Sequence, residues 1–288
     1  MDARDRIGLA YIMAQDANAE KLRIGGVLSL GEAFADAGIA AAWEKDHGVI
    51  HMLFGHGDTM DGVNPGDRQA LYYLILALKP RDVLEVGTHI GASTVHIACA
   101  LKRLGQQSRM TSIDIADVNH PELGAWKKLG LTKAPKEFIE EFGCSNLVEF
   151  RTGHSLDFMK RTDDRYDFIF LDGDHSGAAV YQEVCAALLL LKPDGVILLH
   201  DYYPDGKDLY PEGGAITGPF RALERIRREN PEIDVLPLGQ LPWPTKQGTN
   251  VTSLALVVRK AGVESLSSSL QAGDKQEQRA HAASLGAR

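Results

Sequence analysis

From about residue 67 onward, the sequence alternates short apolar runs with longer helical stretches. Several apolar runs are continuous blocks of β-branched and aromatic residues, which is typical of strands that are covered on both faces. We assign strands to Val83–Val86, Met110–Ile115, Val148–Arg151, Tyr166–Leu171, Val196–Leu199, Ile233–Leu238 and Val251–Val258. This alternation predicts an α/β fold with a doubly wound, mostly parallel seven-stranded sheet, in which the last two strands form an antiparallel hairpin.

The chain divides by composition into three segments. Residues 1–65 carry a helical pattern followed by a loop with glycines and histidines, and we interpret them as an N-terminal helical or lid appendage. Residues 66–260 hold the predicted sheet and form the main domain. Residues 261–288 are rich in serine, alanine, glutamine and charge, so they predict a disordered tail that lacks the apolar surface for a packed element.

The charge balance restricts the partners. Lysine and arginine number 31 against 39 aspartates and glutamates, a net charge of −8, which disfavours nonspecific binding of nucleic acid or of an anionic membrane. We therefore expect a small-molecule partner. The sequence has no apolar run of membrane-spanning length and no secretory signal pattern at its start, so we expect a cytoplasmic protein.

A glycine-containing turn follows the first strand of the main domain, in the segment LEVGTHIGAST. Gly87 and Gly91 allow a tight strand-to-helix turn, and Ser93 or Thr94 is expected to cap the helix that follows. A dinucleotide fingerprint would place a glycine where this chain has His89, whose side chain would obstruct a pyrophosphate. Nicotinamide dinucleotides are therefore disfavoured.

Acidic and histidine side chains follow the next strands. Asp114 ends the second strand, where a carboxylate can accept hydrogen bonds from ribose hydroxyls. Ser155 follows the third strand, and the fourth and fifth strands end in FLDGDHS and LLHDYYP. Because the carboxyl ends of parallel strands meet at one edge of a sheet, we expect these groups to converge on one crevice.

Together, the segments LEVGTHIGAST, SIDI, FIFLDGDHS and LKPDGVILLHDY resemble class I S-adenosylmethionine-dependent methyltransferases, in particular small-molecule O-methyltransferases of the catechol and macrolide-sugar type. The resemblance implies transfer of a methyl group from S-adenosylmethionine to a hydroxyl of a small molecule, such as a natural product or a sugar. It also implies a homo-oligomer. The cofactor-binding residues that it implies are Glu85, Gly87, Gly91, Ser93, Asp114, Ser155 and Asp172.

The resemblance leaves the activation of the acceptor open. It implies a divalent metal, magnesium or manganese, held by Asp172, His200 and Asp201, but the imidazole of His200 departs from an all-oxygen site and favours softer metals or none. His175 lies where relatives place a catalytic base, and a histidine can accept the hydroxyl proton without a metal. A metal-independent N- or C-methyltransferase and a non-catalytic cofactor-binding subunit are the alternative functions.

Overall fold

The computed structural model describes residues 23–24, 28–54 and 62–260. The predicted tail, residues 261–288, and residues 1–22, 25–27 and 55–61 of the predicted appendage lie outside the described residues. Within the described ranges, no helix combines the length and the apolar character that crossing a membrane requires.

A seven-stranded sheet forms the centre of the fold, and a short antiparallel pair, β1 (Arg23–Ile24) and β2 (Leu28–Ser29), precedes it. The order across the sheet is β5-β4-β3-β6-β7-β9-β8. The first five of these strands are mutually parallel, and β9 runs antiparallel to both of its neighbours. The strands are β3 (Asp82–Val86), β4 (Arg109–Asp114), β5 (Val148–Thr152), β6 (Tyr166–Leu171), β7 (Leu191–Leu199), β8 (Ile233–Pro237) and β9 (Ala255–Arg259).

The predicted sheet and its terminal antiparallel pair are confirmed, and two strands begin more than one residue away from their predicted starts. Strand β7 begins at Leu191, five residues before the predicted start, because Leu191 pairs with Tyr166 across a register shift that accommodates the intervening Pro193 and Gly195. Strand β9 begins only at Ala255, and Val251 forms an isolated bridge with Gln240. Pro193 and Gly195 therefore lie in an irregular part of strand β7 and not in a turn.

Helices cover both faces of the sheet. Successive strand residues point to opposite faces, so Val83 joins one apolar cluster while Leu84 joins the other. Helices α3, α4 and α6 pack on the first face, and α8 and α9 pack on the second. The helices are α1 (Leu30–Phe34), α2 (Ala37–Phe54), α3 (Pro65–Leu78), α4 (Ala92–Leu104), α5 (Ala125–Lys128), α6 (Pro135–Glu141), α7 (Ser155–Arg161), α8 (Gly177–Leu190) and α9 (Thr217–Glu229).

The described part of the N-terminal segment packs into the core of the main domain. Trp43 of α2 lies edge-on to Tyr72 of α3, with ring centroids 5.5 Å apart. Phe54, at the end of α2, stacks on Phe138 of α6 with centroids 4.2 Å apart. The Tyr72 hydroxyl also donates to Asp46 at 2.7 Å. Helix α2 therefore shares the apolar cluster of one sheet face.

Candidate active site

A cavity of about 1080 Å³ opens at the carboxyl ends of the five parallel strands. This is the edge at which open α/β sheets bind ligands. Its volume exceeds the usual range for a single small ligand, so a cofactor and an acceptor can fit together. Residues from every one of these strand ends line it, among them Gly87, Asp114, Ser155, Asp172 and His200.

The glycine turn is held close to the end of β6. Gly87 has φ of +94°, and a Cβ at this position would lie 2.1 Å from the backbone oxygen of Asp172. Only glycine fits this approach without a backbone shift. The N-cap of α4 is Gly91, which has φ of +80°, and no side chain forms a capping hydrogen bond there. The predicted capping by Ser93 or Thr94 is therefore wrong.

Ser93 and Thr94 instead bind a carboxylate beneath the turn. Both hydroxyls donate to Glu85, at 2.6 and 2.5 Å, and Ser112 donates to it at 2.6 Å. Burial raises the pKa of Glu85 to about 7, even though these three hydrogen bonds oppose the shift. Glu85 and Ser93 are buried and do not line the cavity, so their predicted direct contact with a cofactor is corrected to a role in fixing the turn from below.

Asp114 lines the cavity at the end of β4, as predicted. Its Oδ2 accepts a hydrogen bond from the backbone of His89, and its Oδ1 accepts one from the backbone of Ala116, each at 2.9 Å. These bonds fix the carboxylate beside the glycine turn. An ionised carboxylate has about four acceptor sites, so Asp114 retains capacity for the hydroxyls of a ribose.

Ser155 lines the cavity beyond Asp114, and its hydroxyl donates to Glu183 of α8. The Glu183 side chain is buried, and burial raises its pKa, partly offset by the hydrogen bond from Ser155. Glu183 was not among the residues predicted from the sequence. The sequence pattern does indicate it, because Val180, Glu183 and Val184 share the inward face of α8 at helical spacing. An acidic residue on such a face predicts a polar contact.

His200 lies between carboxylates at the end of β7. Its Nδ1 is 3.0 Å from Asp172 and 3.4 Å from Asp201, and its Nε2 is 3.2 Å from Asp67 of α3. Burial alone would lower the pKa of His200, but Asp172, Asp201 and Asp67 together raise it well above its ordinary value. The carboxylates on both sides of the ring therefore favour its protonated form. Asp67 is fully buried and was missed by the sequence analysis.

The metal-binding trio predicted from the sequence, Asp172, His200 and Asp201, stays a prediction. As placed, the two ring nitrogens of His200 face Asp172 and Asp67. The structure instead groups His175 with Asp172 and Asp201, with one possible ligand atom from each lying within 4.8 Å of the others. His175 Nε2 lies 3.5 Å from Asp201, and its side chain is 40% exposed to the cavity side of the molecule.

Aromatic residues form the wall opposite the glycine turn. Tyr203 and Tyr210 line the cavity with their rings edge to face at 6.2 Å, and Lys246 lies over the Tyr210 ring at 5.1 Å. Burial and the nearby Asp201 raise the pKa of Tyr203 to about 12. Tyr203 therefore keeps its proton at neutral pH and is not a proton acceptor there.

The chain is similar to known methyltransferases. Residues 84–202 match the model of a family described as a methyltransferase domain. The chain is 26% identical over 161 residues to the rhamnosyl O-methyltransferase of Mycobacterium leprae, covering 55% of this chain and 63% of that protein. It is 26% identical over 151 residues to the catechol O-methyltransferase of Niastella koreensis, covering 51% of this chain and 61% of that protein. The chain thus spans less than two thirds of the length of these curated relatives.

A solved structure has the same fold. The O-methyltransferase from Bacillus cereus, in complex with SAH, superposes with a TM-score of 0.52 at 20% identity, covering 78% of this chain and 91% of that chain. This likeness confirms the fold predicted from the motifs. Residues 84–202, less than half of the chain, match the methyltransferase domain model, and the chain shares its fold with a solved O-methyltransferase.

Proposed function

We propose that this protein transfers the methyl group of S-adenosylmethionine to a hydroxyl group of a small molecule. One observation carries the proposal: the glycine turn, Asp114 and the group formed by Asp172, His175 and Asp201 line a single cavity. A turn for the cofactor and a candidate base for the acceptor are thus close enough to serve one reaction. The curated relatives that methylate a rhamnosyl group and catechol support a hydroxyl acceptor, such as a natural product or a sugar.

The cavity residues fit the cofactor. Gly87 leaves backbone exposed at the turn, Asp114 supplies acceptors for ribose hydroxyls, and Ser155 lies further along the same wall. When bound, S-adenosylmethionine supplies a methyl group on a sulfonium, which is a good leaving group. The protein then contributes alignment of the two reactants and exclusion of water.

His175 is the proposed catalytic base. Its imidazole lines the cavity and lies 3.5 Å from Asp201, whose carboxylate can orient the ring and stabilise it once it has accepted a proton. The acceptor hydroxyl would give its proton to His175 while its oxygen forms a bond to the methyl carbon, and the bond between that carbon and the sulfonium sulfur would break to leave S-adenosylhomocysteine. Tyr203 and Tyr210 offer apolar faces on which a sugar or phenol ring can lie.

A metal ion is the second candidate for activating the hydroxyl, and the grouping of Asp172, His175 and Asp201 favours it specifically. Two carboxylates with one imidazole suit manganese, iron or zinc better than magnesium. Such an ion would hold the acceptor oxygen and favour its deprotonated form. His175 cannot do both, because a nitrogen that ligates a metal has no lone pair left for a proton.

The proposal is tested by calorimetric titration of S-adenosylmethionine and of NAD into metal-stripped protein, followed by product analysis with phenols, sugars and polyketides. We expect S-adenosylmethionine to bind, NAD not to bind, and the methyl group to be found on oxygen. Methylation of nitrogen or carbon would replace the O-methyltransferase assignment. Binding without transfer to any acceptor would indicate a cofactor-binding subunit, and absence of binding would overturn the proposal.

The remaining expectations follow from the same proposal. A neutral or small acceptor suits a chain with a net charge of −8 better than nucleic acid does. A homo-oligomer is expected from the family resemblance, and a cytoplasmic location is a separate proposal. Light scattering of the purified protein measures the oligomeric state, and cell fractionation measures the location.

A further inference from the structure

Lys246 is the one lysine or arginine among the described residues that line the cavity. Its side chain is exposed, and its ammonium lies over the Tyr210 ring, 5.1 Å from the ring centroid. Within residues 23–24, 28–54 and 62–260 this ammonium forms no ion pair with a carboxylate. Because lysine carries its positive charge at neutral pH, the described side chains leave one ammonium facing the cavity without a paired anion.

The backbone of Lys246 lies on a turn that the fold holds in place. Its carbonyl oxygen accepts hydrogen bonds from the backbone N–H and from the hydroxyl of Thr249, at 3.0 and 2.8 Å. The next residue, Gln247, joins this turn to the loop that carries Tyr210. Its side-chain amide donates to the carbonyl of Glu212 at 2.9 Å and accepts from the N–H of Glu212 at 3.0 Å. The lysine side chain therefore starts from a fixed position beside Tyr210.

The charges around His175 have the opposite sign. Asp172 and Asp201 lie beside this histidine, where the acceptor hydroxyl is proposed to react. Carboxylates repel an anionic group that is placed next to them, whereas an ammonium attracts one. An acceptor that carries a hydroxyl and one anionic group therefore has one favourable orientation, with the hydroxyl at His175 and the anionic group at Lys246.

A single ammonium limits the kind of anionic group. A phosphate carries nearly two negative charges and three strong acceptor oxygens, so it calls for several donors or the fork of an arginine. The part of the cavity wall that the structure describes supplies one ammonium and no guanidinium. One carboxylate, with a single charge, matches it better. The net charge of −8 disfavours polyanions but still permits one carboxylate in contact with a lysine.

We propose that the acceptor is a small hydroxy acid, a phenol or sugar that carries one carboxylate, and that Lys246 is the specificity-determining residue that binds this carboxylate. The proposal deepens the proposed function and rests on it, because it assumes that a hydroxyl acceptor lies in the cavity with its oxygen at His175. Lys246 binds the acceptor away from the reacting atoms.

The test compares acids with their uncharged amides: 3,4-dihydroxybenzoate with 3,4-dihydroxybenzamide, and glucuronate with glucuronamide. Steady-state kinetics of the full chain with S-adenosylmethionine at low ionic strength gives kcat/KM for each compound. In each pair that the wild type methylates, we expect kcat/KM of the acid to exceed that of the amide by roughly 10-fold or more. Equal values for acid and amide would overturn the proposal.

Substitutions of Lys246 separate its charge from the intrinsic reactivity of the compounds, because each variant is measured with both members of a pair. Lys246→Met should lower the preference for the acid by roughly 10-fold, and the loss should fall on KM and not on kcat. Lys246→Arg should keep the preference, and Lys246→Glu should reverse it. A preference of wild-type size in Lys246→Met would contradict the proposal.

Lys127 offers a matched control. It is exposed, and its ammonium lies 5.6 Å from the centroid of the Trp126 ring, but it does not line the cavity. Lys127→Met should therefore keep the preference for the acid. If the wild type methylates the amides as well as the acids, only the inference about the carboxylate fails. If it binds S-adenosylmethionine yet methylates neither acids nor amides, the proposed function fails and this inference fails with it.

Discussion

The carboxylate of Asp67, on α3, lies 3.2 Å from Nε2 of His200, at the end of β7. Asp67 precedes the segment that matches the family model, whereas His200 lies inside it. Asn64 also donates to Asp67 Oδ2, at 2.7 Å, and Oδ1 has no hydrogen-bond partner in the part of the chain described. The contact ties the first helix of the main domain to the centre of the site, and it leaves His200 with carboxylates on both sides.

Asp67→Asn should lower the free energy of unfolding by roughly 2–4 kcal/mol, because it removes one of the carboxylates that face the buried His200 ring. Urea unfolding measures the change. Asp205→Asn is the control, since Asp205 is exposed and its ion pair with Lys207 lies on the surface, and it should cost less than about 1 kcal/mol. Equal effects of the two variants would show that the contact with His200 contributes no more than a surface pair.

Glu85 should make stability depend on pH. The pKa of this carboxyl rises from an ordinary 4.5 to about 7 on folding, so the folded state holds the proton more tightly than the unfolded state. The protonated carboxyl contributes fully below pH 4.5, and that contribution is lost as pH rises through about 7, a total of roughly 3 kcal/mol.

Glu85→Gln removes the titrating group and should remove this share of the pH dependence. Unfolding free energies of wild type and variant, measured from pH 5 to pH 8, give the comparison. We expect the difference, wild type minus variant, to fall as pH rises through about 7 and then to level off. A difference that is constant over the whole range would contradict the assigned pKa of Glu85.

Gly87→Ala should weaken binding of S-adenosylhomocysteine by more than roughly 10-fold, because the added Cβ would lie 2.1 Å from the Asp172 backbone oxygen and must displace the turn. Gly105→Ala is the matched control. Gly105 also has positive φ, +62°, but a Cβ there meets nothing within 4 Å. Gly105→Ala should lose about 1–2 kcal/mol of stability through backbone strain, and Gly87→Ala should lose more because its Cβ also clashes. Only Gly87→Ala should lose affinity.

His175→Ala should reduce turnover by roughly 100-fold to 10,000-fold while leaving the affinity for S-adenosylhomocysteine nearly unchanged, because the proposed base touches the acceptor and not the cofactor. Steady-state kinetics with an accepted hydroxyl substrate and calorimetry measure the two quantities. Unchanged turnover would remove His175 from the mechanism.

Chelation distinguishes the base from the metal. With His175 as the base, EDTA should leave wild-type turnover unchanged. If Asp172, His175 and Asp201 hold a metal ion instead, EDTA should abolish turnover, manganese should restore it, and Asp201→Ala should eliminate any heat of metal binding.

Local sequence patterns were sufficient for the strands and for the edge at which the site lies. Continuous apolar runs such as Tyr166–Leu171 predict strands that are covered on both faces. The final residues of parallel strands lie at one edge of the sheet, and this does not depend on the conformation of the loops. That is why Asp114, Asp172, His175 and Asp201 could be placed in one crevice from the sequence.

The sequence by itself determined the α/β sheet, the glycine turn and the residues that end each strand, because these depend on periodicity and on backbone conformations that only certain residues tolerate. The tertiary structure alone decided which side chains meet. It buried Glu85 under the turn, brought Asp67 to His200 across 133 positions of sequence, and turned Glu183 toward Ser155. Side-chain partners are set by packing between elements that are distant along the chain. Local sequence patterns therefore do not predict which of these side chains lie close together.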